Sequence, residues 1–250
     1  MSKIVERTLD FIELFAAEKR PLSLTDLTRL LQIPPSSCHD VIRAMASRGY
    51  LYETAPRAGY YPTRRLYDLA AIIAANDTVV ERARPVAEKI SSQLGETVTL
   101  SKSTNAQIIY LLVVEPADPV RFSVAAGAEV LSVHATSAGK AFLGSLSAEA
   151  YAAVLRDATL RRYTKRTIVS KAKLTADIEL SRSRGWFLND EESRDGVVTV
   201  SVPFARSRAT HFLTVAGPAN RMAGKLTRAT TQLLAAAREL GDTREQPVSR

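Results

Sequence analysis

Three histidines, one cysteine and a scatter of acids and hydroxyls are the chemical resources of this 250-residue chain. The histidines are His39, His134 and His211, with no H-E-x-x-H spacing among them. His134 and His211 alone are too few for a zinc site, and a lone Cys38 excludes a disulfide framework or a cysteine-based zinc site. Gly139-Lys140 resembles the end of a phosphate loop, but His134 stands where that loop needs its first glycine. Neither G-x-S-x-G nor G-x-G-x-x-G is present. Glu191-Glu192 is a candidate carboxylate pair for acid–base work, although adjacent carboxylates usually form a solvated face. The expectation is a binding protein without cofactor or metal, and not an enzyme.

Two groups of residues suit binding. Ser36, Ser37, His39, Asp40 and Arg43 fall on the polar side of a predicted helix, where short polar side chains and free N–H groups reach base edges or phosphates. Thr136-Ser137-Ala138-Gly139 opens a second predicted helix. Small residues there expose backbone N–H groups, and the helix dipole favours an anion. An ordinary cap with close packing would read the same way.

The elements that must position the first group are readable by period. Lys3 to about Ala17 is amphipathic through Ile4, Val5, Leu9, Ile12 and Phe15. Ser23 caps a second helix, with Asp26 at the capping-box position. Pro34-Pro35 forces a tight connection into a third helix over about Pro35–Arg48, whose apolar stripe is Cys38, Val41, Ile42 and Met45. Gly49 ends it. Tyr50–Thr54 and Tyr60–Thr63 then read as a hairpin carrying Arg57 near its tip. Three helices and a hairpin make a winged helix-turn-helix, and Ser23, Ser36, Ser37, His39, Asp40, Arg43 and Arg57 form its candidate DNA-contacting set. A three-helix bundle with a solvated face, or a winged helix that docks on protein, fits the same pattern, and Asp40 leans that way.

Arg65–Asn76 reads as an apolar helix suited to burial against a second copy of itself. Val79–Leu94 is a further helix, interrupted or kinked near Pro85. The period then changes. Thr97–Ser101, Ile108–Val114, Val120–Ala125 and Val130–Val133 read as strands, with Asn105-Ala106-Gln107 as a turn. Helices follow from Ser137, over Ser147–Arg156 and over Leu174–Arg184. Strands return at Trp186–Leu188, Val197–Val202 and Phe212–Val215. A long helix over Arg221–Leu240, capped by Asn220, closes the pattern before a polar tail, Asp242–Arg250. The order implies an α+β fold, an antiparallel-rich sheet with helices packed on it.

Net charge is +8, which suggests an anionic partner. Residues 1–78 hold ten Lys and Arg against nine Asp and Glu, whereas 79–250 hold twenty-four against seventeen. No apolar run is long enough to span a bilayer, and the N-terminus does not read as a signal peptide, so a cytoplasmic protein is expected.

The stretch Leu22 to Leu51 resembles the DNA-binding half of the IclR-type transcriptional regulators. Gly95-Glu-Thr-Val98, His134-Ala-Thr-Ser-Ala-Gly-Lys-Ala141, Arg184-Gly-Trp-Phe-Leu-Asn-Asp-Glu-Glu192, Gly196 and Pro203 resemble later motifs of the same family, in order. The resemblance implies a winged helix-turn-helix over 1–64, a linker helix over 65–78 and a mixed α/β, GAF-like effector domain over 79–250. It implies a homodimer or tetramer on a pseudo-palindromic duplex operator, switched by a small carboxylate or aromatic acid. Carried over, the effector positions are Ala138, Gly139, Asn189, Thr199, Thr214 and Ala216, beside Ser137 at the helix start. The chain departs from the family at Asp40 (usually basic or neutral), at Tyr61-Pro-Thr-Arg64 (usually Tyr-x-Leu-Gly), at Asn189 (commonly aspartate) and at Thr199 (commonly cysteine). The alternative from another class is a small-carboxylate-converting enzyme with an accessory helical domain.

Overall fold

A computed structural model describes residues 3–55, 58–104, 107–206 and 209–241. The chain divides into two compact units, Met1–Asp77 and Thr78–Arg250.

In the first unit α1 (Lys3–Glu18), α2 (Leu24–Leu31) and α3 (Pro35–Ser47) enclose a core that includes Phe11, Phe15, Leu27, Cys38 and Met45. The capping box at Ser23 forms as expected: Ser23 Oγ accepts from Asp26 N–H at 3.1 Å, and Asp26 Oδ2 accepts from Ser23 N–H at 3.2 Å. Arg48 caps α3, and Gly49 follows at φ +74°, a backbone state that costs glycine least. The strands β1 (Leu51–Glu53) and β2 (Tyr60–Pro62) pair antiparallel, and Leu22 bridges to Tyr60, so the hairpin is stitched to the entry of α2. The last helix of the unit is α4 (Arg65–Ala75), which has no buried residue.

In the second unit α5 (Thr78–Leu94) leads to β3 (Thr97–Thr104) and β4 (Gln107–Val114). Then come α6 (Ser137–Ser145), α7 (Ala148–Asp157), α8 (Lys171–Arg184), β5 (Phe187–Asp190), β6 (Val197–Arg206), β7 (Ala209–Pro218), α9 (Ala219–Met222) and α10 (Leu226–Gly241). The five strands form one antiparallel sheet in the order β4-β3-β7-β6-β5. The fold is α+β, as the pattern implied.

Both faces of this sheet are covered, and they differ. One packs Val98, Leu100, Val200, Val202, Leu213 and Val215 against α5 and α10. The alternate residues of the same strands, Thr99, Ser101, Thr199, Ser201 and Thr214, are buried hydroxyls on the other face, the side of α6. Burial of that many polar groups on one inner face needs an explanation beyond packing.

Three expectations fail. Val120–Ala125 and Val130–Val133 are not strands: residues 115–136 form a strap without helix or strand. The strap touches the β4 edge only around Glu129, and the Phe122 carbonyl accepts from Thr97 Oγ1 rather than from a ladder partner. Strand propensity marks side chains that fit a half-buried pleated surface, but here none of them is fully buried, and Val120 and Leu131 are exposed. The closing helix breaks into α9 and α10, with Pro218 at the first cap and Asn220 inside α9. Gly224, a poor helix former, lies in the break, and tertiary ion pairs hold both of its sides. Fully buried Glu96 binds Arg221 from α9 through two nitrogens at 2.8 Å and also binds Lys225 at 2.7 Å, just before α10. Pro85 does not interrupt α5, which runs on to Leu94 although Pro85 has no N–H for the Glu81 carbonyl. The turn residues Asn105 and Ala106 and the tail from Asp242 lie outside the described residues.

Candidate functional site

The inward stripe of α3 is Cys38, Val41, Ile42 and Met45, as expected from spacing. That leaves Ser36, His39, Asp40 and Arg43 exposed, with Ser37 half-buried beside them. Pro34 stands at the N-cap without a side-chain cap, and Cys38 is the first residue whose N–H bonds back, to the Pro34 carbonyl. The N–H groups of Ser36 and Ser37 are therefore open to an outside acceptor. Asp40 Oδ1 accepts from Arg43 Nη2 at 2.7 Å on this face. Ser23 is different: its hydroxyl accepts from the Asp26 N–H and donates to Asp26 Oδ2, so it serves the cap. These bonds, the side-chain one first, hold the Asp26 carboxyl down at about 2. Arg57 lies outside the described residues.

The polar sheet face, α6 and the strap enclose a cavity of about 210 Å³. Of the seven effector positions, six line it: Ser137, Ala138, Asn189, Thr199, Thr214 and Ala216. Gly139 does not. A Cβ there would lie 2.4 Å from Val133 Cα and 2.5 Å from the Ser132 carbonyl, so this glycine lets α6 press against the end of the strap. The rest of the lining, which includes Thr99, Tyr110, Phe122, Glu129, Leu131 and Arg194, is not among the positions expected from sequence. Most belong to the strap and β4, whose approach to α6 is a tertiary fact without a sequence signal. Thr99 does carry a signal, one alternation away from the apolar Val98 and Leu100.

The hydrogen bonds of the cavity are almost all internal. Ser201 Oγ donates to Ser137 Oγ at 2.7 Å and therefore accepts from Thr214 Oγ1, also at 2.7 Å. Ser137 Oγ and Thr199 Oγ1 are 2.6 Å apart. One of these two hydroxyls spends its proton on the other, so one proton of the pair is left over for the cavity. Asn189 is fully committed: its Oδ1 accepts from the N–H of Glu192 and Ser193, and its Nδ2 donates to Ser193 and Thr199. It braces the site rather than offering its amide. Thr99 Oγ1 is buried without a partner among the described residues. At the mouth of α6, Thr136 accepts from Gly139 and Lys140 N–H, which leaves those of Ser137 and Ala138 free. The free backbone groups on the cavity floor are thus donors, and each free hydroxyl there also has a proton to give. Tyr110 and Phe122 supply aromatic wall, and exposed Glu129 and Arg194 stand at the rim. Burial pushes the Tyr110 hydroxyl up in pKa.

Behind the cavity sits a buried ionic cluster. Lys140 Nζ on α6 reaches Glu192 Oε1 at 2.5 Å, Asp177 Oδ2 on α8 at 2.9 Å and the Leu188 carbonyl at 3.1 Å. Glu192 is buried, which corrects the solvated-face reading, and burial raises its pKa against the opposing pull of Lys140. Among the described residues no group of three or more His, Cys, Asp or Glu is placed to hold a metal. No helix among them is long and apolar enough to cross a membrane.

Residues 72–242 match the family model for the bacterial transcriptional regulator IclR C-terminal domain, and residues 4–55 match that for the IclR helix-turn-helix domain. The chain is 27% identical to the HTH-type transcriptional regulator BhcR of Paracoccus denitrificans, over 95% of its own length and 86% of that protein's. A solved IclR transcriptional regulator of Alicyclobacillus acidocaldarius superposes with a TM-score of 0.79 at 21% identity, covering 96% of this chain and 98% of that one. An IclR homologue of Microbacterium hydrocarbonoxydans, solved in complex with 4-hydroxybenzoate, gives 0.77 at 19% identity over 96% and 98%. At such identities the structural likenesses establish the fold.

Proposed function

Since the chain belongs to the IclR family and is a DNA-binding transcriptional regulator rather than an enzyme, we propose that a small organic acid in the second-unit cavity governs how α3 engages its operator. The observation that carries the effector reading is the convergence of unspent donors. The N–H groups of Ser137 and Ala138, one proton of the Ser137–Thr199 pair and the Thr99 hydroxyl face one space. A carboxylate, an acceptor at both oxygens, satisfies them and is further favoured by the α6 dipole. Tyr110 and Phe122 suit a flat apolar body, and the aromatic acid bound by the Microbacterium homologue is of this class.

On the DNA side, exposed Ser36, His39, Asp40 and Arg43 with the open N–H groups of Ser36 and Ser37 form the reading face, and α3 enters the major groove. Tyr67, Ile72 and Ile73 on α4 are exposed although α4 is rich in apolar residues. A second copy covers them, giving a homodimer on a pseudo-palindromic site. The test is calorimetric titration with 4-hydroxybenzoate and aliphatic acids, followed by gel shift on the DNA flanking the gene with excess nonspecific competitor. Saturable binding of one acid that changes the gel shift is the expected result. Absence of heat for every acid in protein that binds DNA overturns the effector assignment.

A further inference from the structure

The positive charge of this chain is not on the unit that holds the base-reading helix. Four of the eight arginines of the first unit are held in ion pairs: Arg20 with Glu18 and Asp26, Arg29 with Asp26, Arg43 with Asp40 and Arg64 with Asp68. With a formal charge of only +1 over residues 1–78, this unit carries little to attract phosphate. Affinity for duplex DNA nevertheless rests mainly on neutralised phosphates.

The excess sits elsewhere, in one short segment. Residues 156–173 contain seven Lys and Arg against a single acid, Asp157, and so hold +6 of the +7 carried by residues 79–250. The segment leaves the last turn of α7 and returns at the first turn of α8, where Lys171 Nζ donates to the Arg156 carbonyl at 2.7 Å and ties the two ends together. Between them the chain is held from within. Thr164 and Thr167 hydroxyls donate to the backbone carbonyls of Glu191 and Glu192, and His134 Nε2 donates to the Arg161 carbonyl at 2.9 Å. Arg166 is paired with Asp190 and Glu191. Arg156, Arg161, Arg162, Lys165, Lys171 and Lys173 are exposed and form no ion pair among the described residues.

We propose that this tied, rigidly backed segment is a second DNA-contacting surface, which grips the phosphate backbone of duplex DNA. A protein partner is disfavoured by the lack of an anchor. Leu160 and Ile168 pack into the core beneath, Tyr163 is covered by His134 and Arg161, and Val169 is the only large apolar residue of the segment with substantial exposure. Protein interfaces need a desolvated aromatic or aliphatic centre, whereas phosphodiester oxygens need only fixed cations.

The experiment measures binding of the full-length protein to a labelled random-sequence duplex by fluorescence anisotropy over a series of KCl concentrations. For Arg161→Gln/Arg162→Gln/Lys165→Gln the slope of log K against log salt becomes shallower by about 0.9 for each phosphate no longer neutralised, about 2.7 if all three side chains touch DNA. Arg161→Lys/Arg162→Lys keeps the wild-type slope. Should the triple variant fold poorly, Lys165→Gln/Lys173→Gln, whose side chains make no hydrogen bond among the described residues, makes the slope shallower by about 1.8. Wild-type slope and affinity in folded Gln variants overturn the proposal and leave the surface to an acidic protein. Arg43→Ala, measured alongside, separates this from the α3 reading: weakened binding there with silent Gln variants sinks only the second surface.

Discussion

Ser137 and Thr199 lie sixty-two positions apart in sequence and bring their hydroxyl oxygens to 2.6 Å, where the start of α6 meets the polar face of the sheet. Each is also held from behind, Ser137 by Ser201 and Thr199 by Asn189, so the pair is fixed before any ligand arrives. Ser137→Ala/Thr199→Val removes both oxygens of this pair, and with them the proton left over for the cavity. We expect the acid to bind about tenfold more weakly, the worth of one hydrogen bond of roughly 1.4 kcal/mol. Titration calorimetry against the same acid checks it, and an unchanged Kd would place the ligand elsewhere.

Thr99 offers a sharper separation of binding from stability. Its hydroxyl is buried and unpartnered among the described residues, so it costs the empty protein and serves only an occupant. Thr99→Val should leave the thermal midpoint of ligand-free protein equal or higher, while the stabilisation conferred by saturating acid falls. A variant that loses stability when empty would show that the hydroxyl has a structural partner after all.

Gly139→Ala tests the seam between α6 and the strap. The added methyl carbon meets backbone of Ser132 and Val133 rather than a side chain that could swing away. A loss of about 1–3 kcal/mol in chemical denaturation is expected, the usual cost of overpacking. The ligand-induced response should weaken with it, since the strap supplies Phe122 and Leu131 to the cavity wall.

Lys140→Met leaves Glu192 and Asp177 facing each other without their cation. Removing one partner of a buried ionic group typically costs about 3–5 kcal/mol, and urea denaturation of the variant should show a loss in that range. A loss below about 1 kcal/mol would mean that Glu192 is already neutral in the folded protein. Where the full loss appears, Lys140→Met/Glu192→Gln recovers part of it, because the surviving acid no longer meets a like charge.

What a sequence makes legible here follows the range of the interaction. The capping box at Ser23 and Asp26 and the stripe Cys38–Val41–Ile42–Met45 are decided within a turn or two of helix, and period and residue type reveal them. The cavity floor is half legible: alternation places Thr199 and Thr214 on one face, but that Asn189 spends its whole amide on neighbours is visible only in three dimensions. Glu192 is the clearest case of what stays hidden. Its neighbour Glu191 suggests a solvated acidic pair, yet a lysine fifty-two residues earlier draws it into the core. In the same way, Gly224 marks the break in the closing helix locally, but that buried Glu96 holds Arg221 and Lys225 on its two sides is visible only in three dimensions.

His134 gives the second unit a pH dependence of definite sign. Its Nε2–H donates to the Arg161 carbonyl, and its Nδ1 lies 2.8 Å from Ser132 Oγ, a hydroxyl that can donate to the neutral ring. Burial lowers its pKa below the ordinary value, with the nearby Lys140 charge acting in the same direction. A base depressed in the folded state binds its proton more readily when unfolded, so stability is lost as pH falls below the unfolded value of about 6.5. Thermal melts between pH 7.5 and about 5 should show a falling midpoint. His134→Gln, which keeps a donor for Arg161, should flatten the trend, and an equal slope in both proteins would assign it to other groups.

Asp40 and Arg43 set the last expectation, on the reading face of α3. The 2.7 Å bond uses Nη2 of Arg43 and leaves its remaining N–H groups directed by a partner one turn back. Both side chains are more than half exposed, so the pair adds little to stability, a few tenths of a kcal/mol at most. Its value lies in orientation: a guanidinium held in one rotamer presents a fixed fork to the O6 and N7 acceptors of guanine. Arg43→Ala should therefore weaken binding to a selected operator by about 1–3 kcal/mol while the thermal midpoint stays put. Asp40→Ala should act differently. Removing a carboxylate from a phosphate-facing surface raises affinity for random duplex, and freeing Arg43 relaxes the preference at the base pair it reads. Selection of bound sequences from a random pool, done with wild type and Asp40→Ala in parallel, tests this directly. A variant that binds random DNA no better and selects an identical consensus would remove Asp40 from the recognition surface.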